Sequence, residues 1–310
     1  MTDRADWLNW RRTGLGASDI AGVLGISPWA SPFSVWASKT DAHDDDKDTD
    51  AMEFGRRAEV MVVPWFTERT GLDVASVQTR CTHHDDQWKL CTVDGFVSDT
   101  PFTAALGVLE IKTTSASAEE WANGVPVYYQ CQATWVMHVT DTSQCWFAVL
   151  HLAFGRPRFE VYEFHRDLAD EQFVVERCEQ FWTDHVVTGT PPPVDAHEAT
   201  TDAIKAHWST GEGAIDADAT GRRIVQRLHA HKATAALLEQ NITEAENELR
   251  ALIGDHETLT HDGQVIASWK SQDAARLDTK AMRAAWPDIA AEFTKTTTSR
   301  VLRLPKPKGE

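Results

Sequence analysis

Apolar residues recur at two different periods along the chain. Trp7 to Arg12 has the spacing of the end of a short helix. It is followed by the glycine-rich Thr13-Gly14-Leu15-Gly16-Ala17 and by Ser18, which takes the place of an N-cap for a short helix that starts at Asp19 and is closed by Gly25. Ser31-Pro32, a cap followed by proline, opens a second helix through Lys39. Met52 to Thr70 keeps helical spacing up to Gly71, with Pro64 as a bend. From Val74 the period drops toward two, and 74–77, 88–93 and 106–113 read as strands. Tyr128 to His138 reads as a buried helix entered after Pro126. A strand pair at 144–152 and 158–164 and a helix over 168–187 follow.

Thr190-Pro191-Pro192-Pro193-Val194 is a stiff linker, and the main boundary is placed after residue 195. Beyond it a long helix runs from about Ala219 to Ile253. Ile224, Leu228, His231, Ala235, Leu238, Ile242, Ala245, Leu249 and Leu252 step along it by alternating four and three, the seam of a heptad repeat. A hairpin turning at Asp262-Gly263, a short helix near Lys280 and a final strand near Val301 complete the pattern. The predicted organisation is an α/β domain over 1–195, a mixed sheet with helices on both faces, and a helical, coiled-coil extension with a small hairpin over 196–310.

At 310 residues, 42% of them apolar, the chain can bury one large core with an appendage, which excludes global disorder. The net charge of −17 excludes a protein that coats DNA by overall attraction, so any nucleic-acid role must rest on local cations or on metal ions. The acid is unevenly spread: residues 1–195 carry 15 Lys/Arg against 30 Asp/Glu, with six acids in Asp41 to Asp50, whereas 196–310 carry 15 against 17. No apolar run approaches the roughly 20 residues that span a bilayer, and the first residues lack a signal-peptide pattern. A cytoplasmic protein without a membrane partner is expected. Five widely spaced cysteines without a Cys-x-x-Cys pair read as reduced thiols.

Candidate chemistry lies in Val93-Asp94-Gly95 and Leu109-Glu110-Ile111-Lys112. On a strand, Glu110 and Lys112 share one face while Ile111 points to the other. Burying an acid and a base together in an apolar strand contributes little to stability, because desolvating both offsets their attraction. With Asp94, Glu110 offers the converging oxygens that a hard divalent cation requires. Asp94, Glu110 and the carbonyl of Ile111 would hold Mg²⁺, and Lys112 would orient or help deprotonate a water for attack on a phosphodiester. The spacing alone is also that of a strand salt bridge, although Val108, Leu109 and Ile111 argue against an exposed strand.

The ordered set Arg11, Gly14-Leu15-Gly16-Ala17-Ser18-Asp19-Ile20-Ala21, Ser31-Pro32 with Trp36 and Lys39, Phe54-Gly55 with Glu59, Asp94, Glu110-Ile111-Lys112, and Tyr129-x-x-Gln132 with Trp135, Met137 and Val139-Thr140 resembles the YqaJ-like viral recombinase family. That family is a branch of the PD-(D/E)XK nucleases that includes the phage lambda exonuclease. The resemblance spans about residues 7–150. It implies the PD-(D/E)XK, restriction-endonuclease-like core and a Mg²⁺-dependent exonuclease, with two ions and Mn²⁺ as a substitute. The implied activity degrades one strand of linear duplex DNA from its 5′ end, leaving a 3′ tail for a single-strand annealing protein in homologous recombination. It further implies a homo-oligomeric ring, a trimer or tetramer, and the cytoplasm of a bacterial host if the gene is carried by a phage or prophage.

By the same resemblance Asp94, Glu110 and Lys112 match the catalytic motif. Glu59 matches a helix-borne carboxylate that helps hold the second metal, and Gln132 a polar residue beside the site. Arg11 and Ser18 match the pair that receives the terminal 5′ phosphate, with Arg12 an alternative to Arg11. Tyr129, three residues before Gln132 on one helix face, belongs to the same polar stripe. The chain departs from the pattern at Asp141, where Gly is usual, and at Thr134, where a second glutamine is usual or is displaced to Gln130. Two other functions fit the same residues: a site- or structure-specific endonuclease, and a non-catalytic scaffold that binds DNA ends. Cys81, His83, His84 and Cys91 lack zinc-knuckle spacing. Trp29 and Trp36 are candidates for a wedge at the duplex end.

Overall fold

The computed structural model describes residues 4–40, 49–101, 104–114, 120–152 and 157–305. Of the acidic run Asp41 to Asp50, residues 41–48 lie outside the described residues, as do Lys306 and Lys308. The amino-terminal part is helical: α1 (Arg4–Arg12), a 3₁₀ turn (Ala17–Asp19), α2 (Ile20–Val23), α3 (Pro32–Thr40) and α4 (Asp50–Thr70). Ser31 caps α3 as its sequence predicts, its Oγ accepting from the Ser34 amide at 3.1 Å. Thr49 caps α4 by accepting from the Met52 amide, and Gly71 ends it in the left-handed conformation at φ 75°.

The strands come next: β1 (Asp73–Ala75), β2 (Thr79–Thr82), β3 (Leu90–Val93), β4 (Gly95–Ser98) and β5 (Gly107–Thr114). Helix α5 (Val127–Thr140) then crosses over to β6 (Gln144–His151) and β7 (Arg158–His165). The main sheet has the order β1-β4-β5-β6-β7, and β2 and β3 form a separate antiparallel pair. Within the sheet, β5 and β6 are parallel, as a helical crossover allows, while the other neighbours are antiparallel. This is a mixed sheet.

Alternation along β5 and β6 divides the core in two. Leu109, Ile111, Trp146, Ala148 and Leu150 face Val62 and Phe66 of α4. Val108, Cys145, Phe147 and Val149 face the other way, toward Val136 and Met137 of α5 and Val174 and Cys178 of α6 (Leu168–Phe181). Helices therefore cover both faces. Each fully buried side chain of this size contributes roughly 1.5–3 kcal/mol.

The chain divides into two compact units, Met1–Trp208 and Ser209–Glu310. The division falls after Trp208 rather than after residue 195, because α7 (Glu198–His207) is tied into the first unit. Thr200 Oγ1 donates to Ser31 Oγ at 2.6 Å, and Trp208 packs on Phe33 with ring centroids 6.1 Å apart. The second unit holds α8 (Ala219–Ile253), the hairpin β8 (Thr258–His261) and β9 (Gln264–Ser268), α9 (Thr279–Ala285) and α10 (Pro287–Glu292). Asp262 and Gly263 turn the hairpin, both with positive φ. The strand expected near Val301 is absent; residues 294–305 form no helix or strand. No helix among the described residues is long and apolar enough to cross a membrane.

Candidate active site

Asp94 occupies the single position between β3 and β4, where the chain leaves the small hairpin and enters the main sheet. From there its side chain reaches across to β5. The Ile111 amide donates to Asp94 Oδ2 at 2.7 Å. One residue earlier on β5, Glu110 projects from the opposite face to Leu109 and Ile111, toward α5, with 1% of its surface exposed. Lys112 Nζ and Gln132 Nε2 both donate to Glu110 Oε2 at 2.7 Å. The other oxygen, Oε1, is buried without a hydrogen-bond partner among the described residues. Leaving such an acceptor unmet costs about 1–3 kcal/mol, more when it is charged.

Glu59, on α4, completes the acidic group through a residue that sequence reasoning missed. Gln78 Nε2 donates to Glu59 Oε2 at 2.7 Å and to Asp94 Oδ1 at 3.1 Å, bridging the two carboxylates. Gln78 sits in the β1–β2 turn with φ 54°, and nothing in its sequence neighbourhood signals this role. Burial raises the Glu59 pKa to about 7, with repulsion from Asp94 adding to it. Burial likewise raises Glu110 to about 7 against the opposing pull of Lys112, and it raises Asp94. Burial also works against the Lys112 ammonium, but Glu110 and Asp94 outweigh it and hold that pKa above the ordinary lysine value.

Along α5, Gln132 and Tyr129 face this group. Lys112 Nζ stands 5.1 Å from the Tyr129 ring centroid, within cation–π range. Gln130 points elsewhere, donating to the Val125 carbonyl at 2.6 Å, and Thr134 is buried with its hydroxyl on the Gln130 carbonyl. The Ile111 side chain is part of the core while its amide serves Asp94. No three His, Cys, Asp or Glu side chains among the described residues already stand at metal-binding spacing. The two carboxylates that meet at β5 are held instead by Gln78, Gln132, Lys112 and the Ile111 amide.

A second cluster precedes α2. Arg11 donates one amino group to Ser18 Oγ at 3.0 Å and to Asp19 Oδ1 at 3.1 Å, while its guanidinium lies 5.0 Å from the Trp7 ring centroid. Asp19 Oδ2 accepts from Lys39 Nζ at 2.6 Å and from the Gly16 amide at 2.8 Å. Lys39 also donates to the Arg11 carbonyl at 3.0 Å. Asp19 is buried, yet Lys39 and Arg11 more than offset the desolvation and hold its pKa below the usual value. Ser18 does not cap a helix, contrary to its sequence reading. It lies inside the 3₁₀ turn that Gly16 opens, Asp19 reaches back to the Gly16 amide, and the exposed Ser18 hydroxyl serves Arg11. Arg12 is half-buried at the end of α1.

Backbone pairing ties this cluster to the strand that leads into Asp94. Leu15 donates to the Trp88 carbonyl at 2.8 Å and accepts from the Leu90 amide at 2.9 Å. A Cβ at Gly14 would stand 2.0 Å from the Trp88 carbonyl oxygen, so glycine is required for this approach. Trp29 is exposed, with its ring 5.2 Å from Tyr128 and 6.0 Å from Tyr129, an aromatic ledge beside Lys112. Trp36 cannot be a wedge: it is a core residue whose Nε1 donates to the His185 carbonyl. All five cysteines are free. His83 stacks on His138 at 4.8 Å and accepts from the Asp86 amide, a structural arrangement.

A family model described as the YqaJ-like viral recombinase domain matches residues 6–143. The chain is 30% identical over 306 residues to the uncharacterized protein YqaJ of Bacillus subtilis (strain 168), a match that covers 96% of this chain and 92% of that protein. Among solved structures, the alkaline exonuclease LHK-Exo of Laribacter hongkongensis is 20% identical, covers 60% of this chain and 94% of its own, and has a TM-score of 0.49. A phage-related exonuclease of Haemophilus somnus 129PT is 9% identical, covers 59% of this chain and 99% of its own, and has a TM-score of 0.43.

Proposed function

The chain belongs to the YqaJ-like viral recombinase family, and from that premise we propose that it is a divalent-cation-dependent deoxyribonuclease. It degrades one strand of linear duplex DNA from the 5′ end and leaves a 3′ tail for an annealing protein. The observation that supports this most is the Glu110 carboxylate: buried at the centre of the sheet, shared with Lys112 and Gln132 through one oxygen, and without a donor on the other among the described residues. A strand built for stability alone would place valine there. An orphaned carboxylate oxygen beside Asp94 is suited to a hard cation, and the set fits Mg²⁺ or Mn²⁺ held by Asp94, Glu110 and the Ile111 carbonyl, with Glu59 serving a second ion. A cation bound there supplies Lewis-acid activation of water and offsets charge on the phosphorane.

The protein's own groups supply the rest. Lys112, which donates to Glu110, stands where its ammonium orients water and neutralises developing negative charge. Gln132 fixes the Glu110 rotamer through its hydrogen bond. At the Arg11 cluster one buried acid, Asp19, is set against two cations, which leaves a net positive charge beside the exposed Ser18 hydroxyl. A guanidinium oriented by Asp19 and an exposed hydroxyl make a seat for a terminal phosphate. Trp29 with Tyr128 offers stacking surface for a frayed base.

The test uses linear duplexes bearing 5′ phosphate or 5′ hydroxyl, and a covalently closed circle, each with Mg²⁺. Phosphorylated linear DNA is expected to be degraded fastest and the closed circle to survive. Lys112→Ala is expected to lose activity by on the order of 10²-fold or more. Full activity in that variant overturns the assignment. Cleavage of the closed circle at the linear rate identifies an endonuclease instead.

A further inference from the structure

Most of the α8 seam is exposed: Ile224, Leu238, Ile242, Leu249 and Leu252 are all large apolar side chains in solvent, Leu238 at 56% and Ile242 at 53%, while Leu228 is half-buried. A 35-residue helix with an apolar repeat of 3.5 residues is built to pack against another helix of the same period. The charge on α8 indicates which helix. Residues 219–236 carry Arg222, Arg223, Arg227 and Lys232 with no acid, while residues 237–253 carry Glu239, Glu244, Glu246 and Glu248 with only Arg250 opposing them. Basic residues at the start and acids toward the end oppose the helix dipole at both ends, so the arrangement disfavours α8 standing alone. Laid antiparallel against a second α8, each basic half meets an acidic half and each end of the dipole meets its opposite.

We propose that α8 is a self-recognition surface that pairs antiparallel with α8 of a second copy of this chain. Size and charge select one register. When Leu228 packs opposite Ala245 of the other copy, Ala235 falls opposite Leu238, and every alanine of the seam meets a leucine. The flanking positions then match as well, Arg227 opposite Glu248 and Lys232 opposite Glu239, all four exposed and available. Sliding by one heptad to set Leu228 opposite Leu252 places Ala235 opposite Ala245 and Glu239 opposite Glu239, leaving a gap and a like-charge contact. Parallel pairing brings Arg227 beside Lys232. The contact is two-fold symmetric, so residue pairs occur twice.

The test is zero-length carbodiimide coupling of the full chain at micromolar concentration, with covalent dimers isolated on a denaturing gel and their joining peptides identified by mass spectrometry. Dimers joined through Lys232 and Glu239 are expected. They should disappear in a Leu238→Glu, Ile242→Glu variant, whose nuclease unit is untouched. Arg227→Glu should lower the dimer yield several-fold, and adding Glu248→Arg to the same chain should restore it, because the swapped pair meets only in the antiparallel arrangement. The proposal is overturned if the wild-type chain gives no Lys232–Glu239 dimers, if those dimers persist when the seam is broken, or if the double swap fails to rescue. The first of these outcomes, seen together with rescue of coupling by an added annealing protein, would assign the seam to that partner.

Discussion

Three carboxylates, Glu59, Asp94 and Glu110, share one lysine at the site, and that imbalance sets its response to pH. Both glutamates titrate at about 7 in the folded protein, well above the ordinary glutamate value. The folded state therefore keeps protons that the unfolded chain releases, so stability falls as pH rises from the ordinary carboxylate range through about 7. Thermal unfolding of the metal-free protein is expected at lower temperature at about pH 8 than at about pH 6, with Mg²⁺ restoring the loss. Glu59→Gln removes a like charge beside Asp94 and should shrink the pH-dependent drop while lowering nuclease activity. An unchanged pH profile in that variant would contradict the coupling. At the second cluster, Asp19→Ala strands the buried Lys39 ammonium and releases Arg11. It should cost about 3–5 kcal/mol in denaturant unfolding, and both it and Arg11→Ala should erode the proposed preference for 5′-phosphorylated ends. That Glu110 and Lys112 share one face of β5 was legible from strand alternation. Asp19 and Gln78 were not, because an acid behind an arginine and a glutamine between two carboxylates acquire meaning only from neighbours distant in sequence.

At the scale of elements, β5 joins two demands on one strand. Its Leu109 and Ile111 face α4, while Glu110 and Lys112 face α5 and the proposed site. Leu109→Ala is expected to cost about 2–5 kcal/mol, read from a denaturant midpoint at unchanged slope. Gly14→Ala acts differently, since its Cβ cannot fit against the Trp88 carbonyl and the Leu15 pairing must open. Activity on 5′-phosphorylated ends should fall more than activity on 5′-hydroxyl ends, because the Arg11 cluster loses its tether to the strand before Asp94. An equal fall on both substrates would detach that loop from phosphate recognition. Long elements were readable in advance: α4, α5, α8 and β5 to β7 stand within a few residues of where apolar spacing puts them. Ser18 was not, because an N-cap and a residue inside a 3₁₀ turn carry the same side chain, and here the turn begins one step earlier, with Gly16 at its cap and Asp19 accepting from the Gly16 amide.

For the whole molecule, a charge of −17 requires the proposed DNA affinity to be local and conditional. Binding to duplex ends should weaken sharply when Mg²⁺ or Ca²⁺ is withheld, measured by fluorescence anisotropy. Tight metal-independent binding to closed circles would refute this. Residues 209–218 form no helix or strand, and Ile215 is 94% exposed, so limited proteolysis is expected to cut there first and to release the two units. First cleavage inside the Pro191–Pro193 stretch would instead favour the boundary suggested by composition. The sequence alone determined the alternation of β5, the heptad of α8 and the acidic balance, since each depends on residue type and on spacing within one element. Tertiary structure decided which oxygen of Glu110 is left without a donor, that Gln78 bridges Glu59 and Asp94, that Trp36 is core while Trp29 is exposed, and that α7 stays with the first unit. These depend on which surfaces meet across elements, and burial and hydrogen-bond competition at those meetings are not encoded in any local pattern.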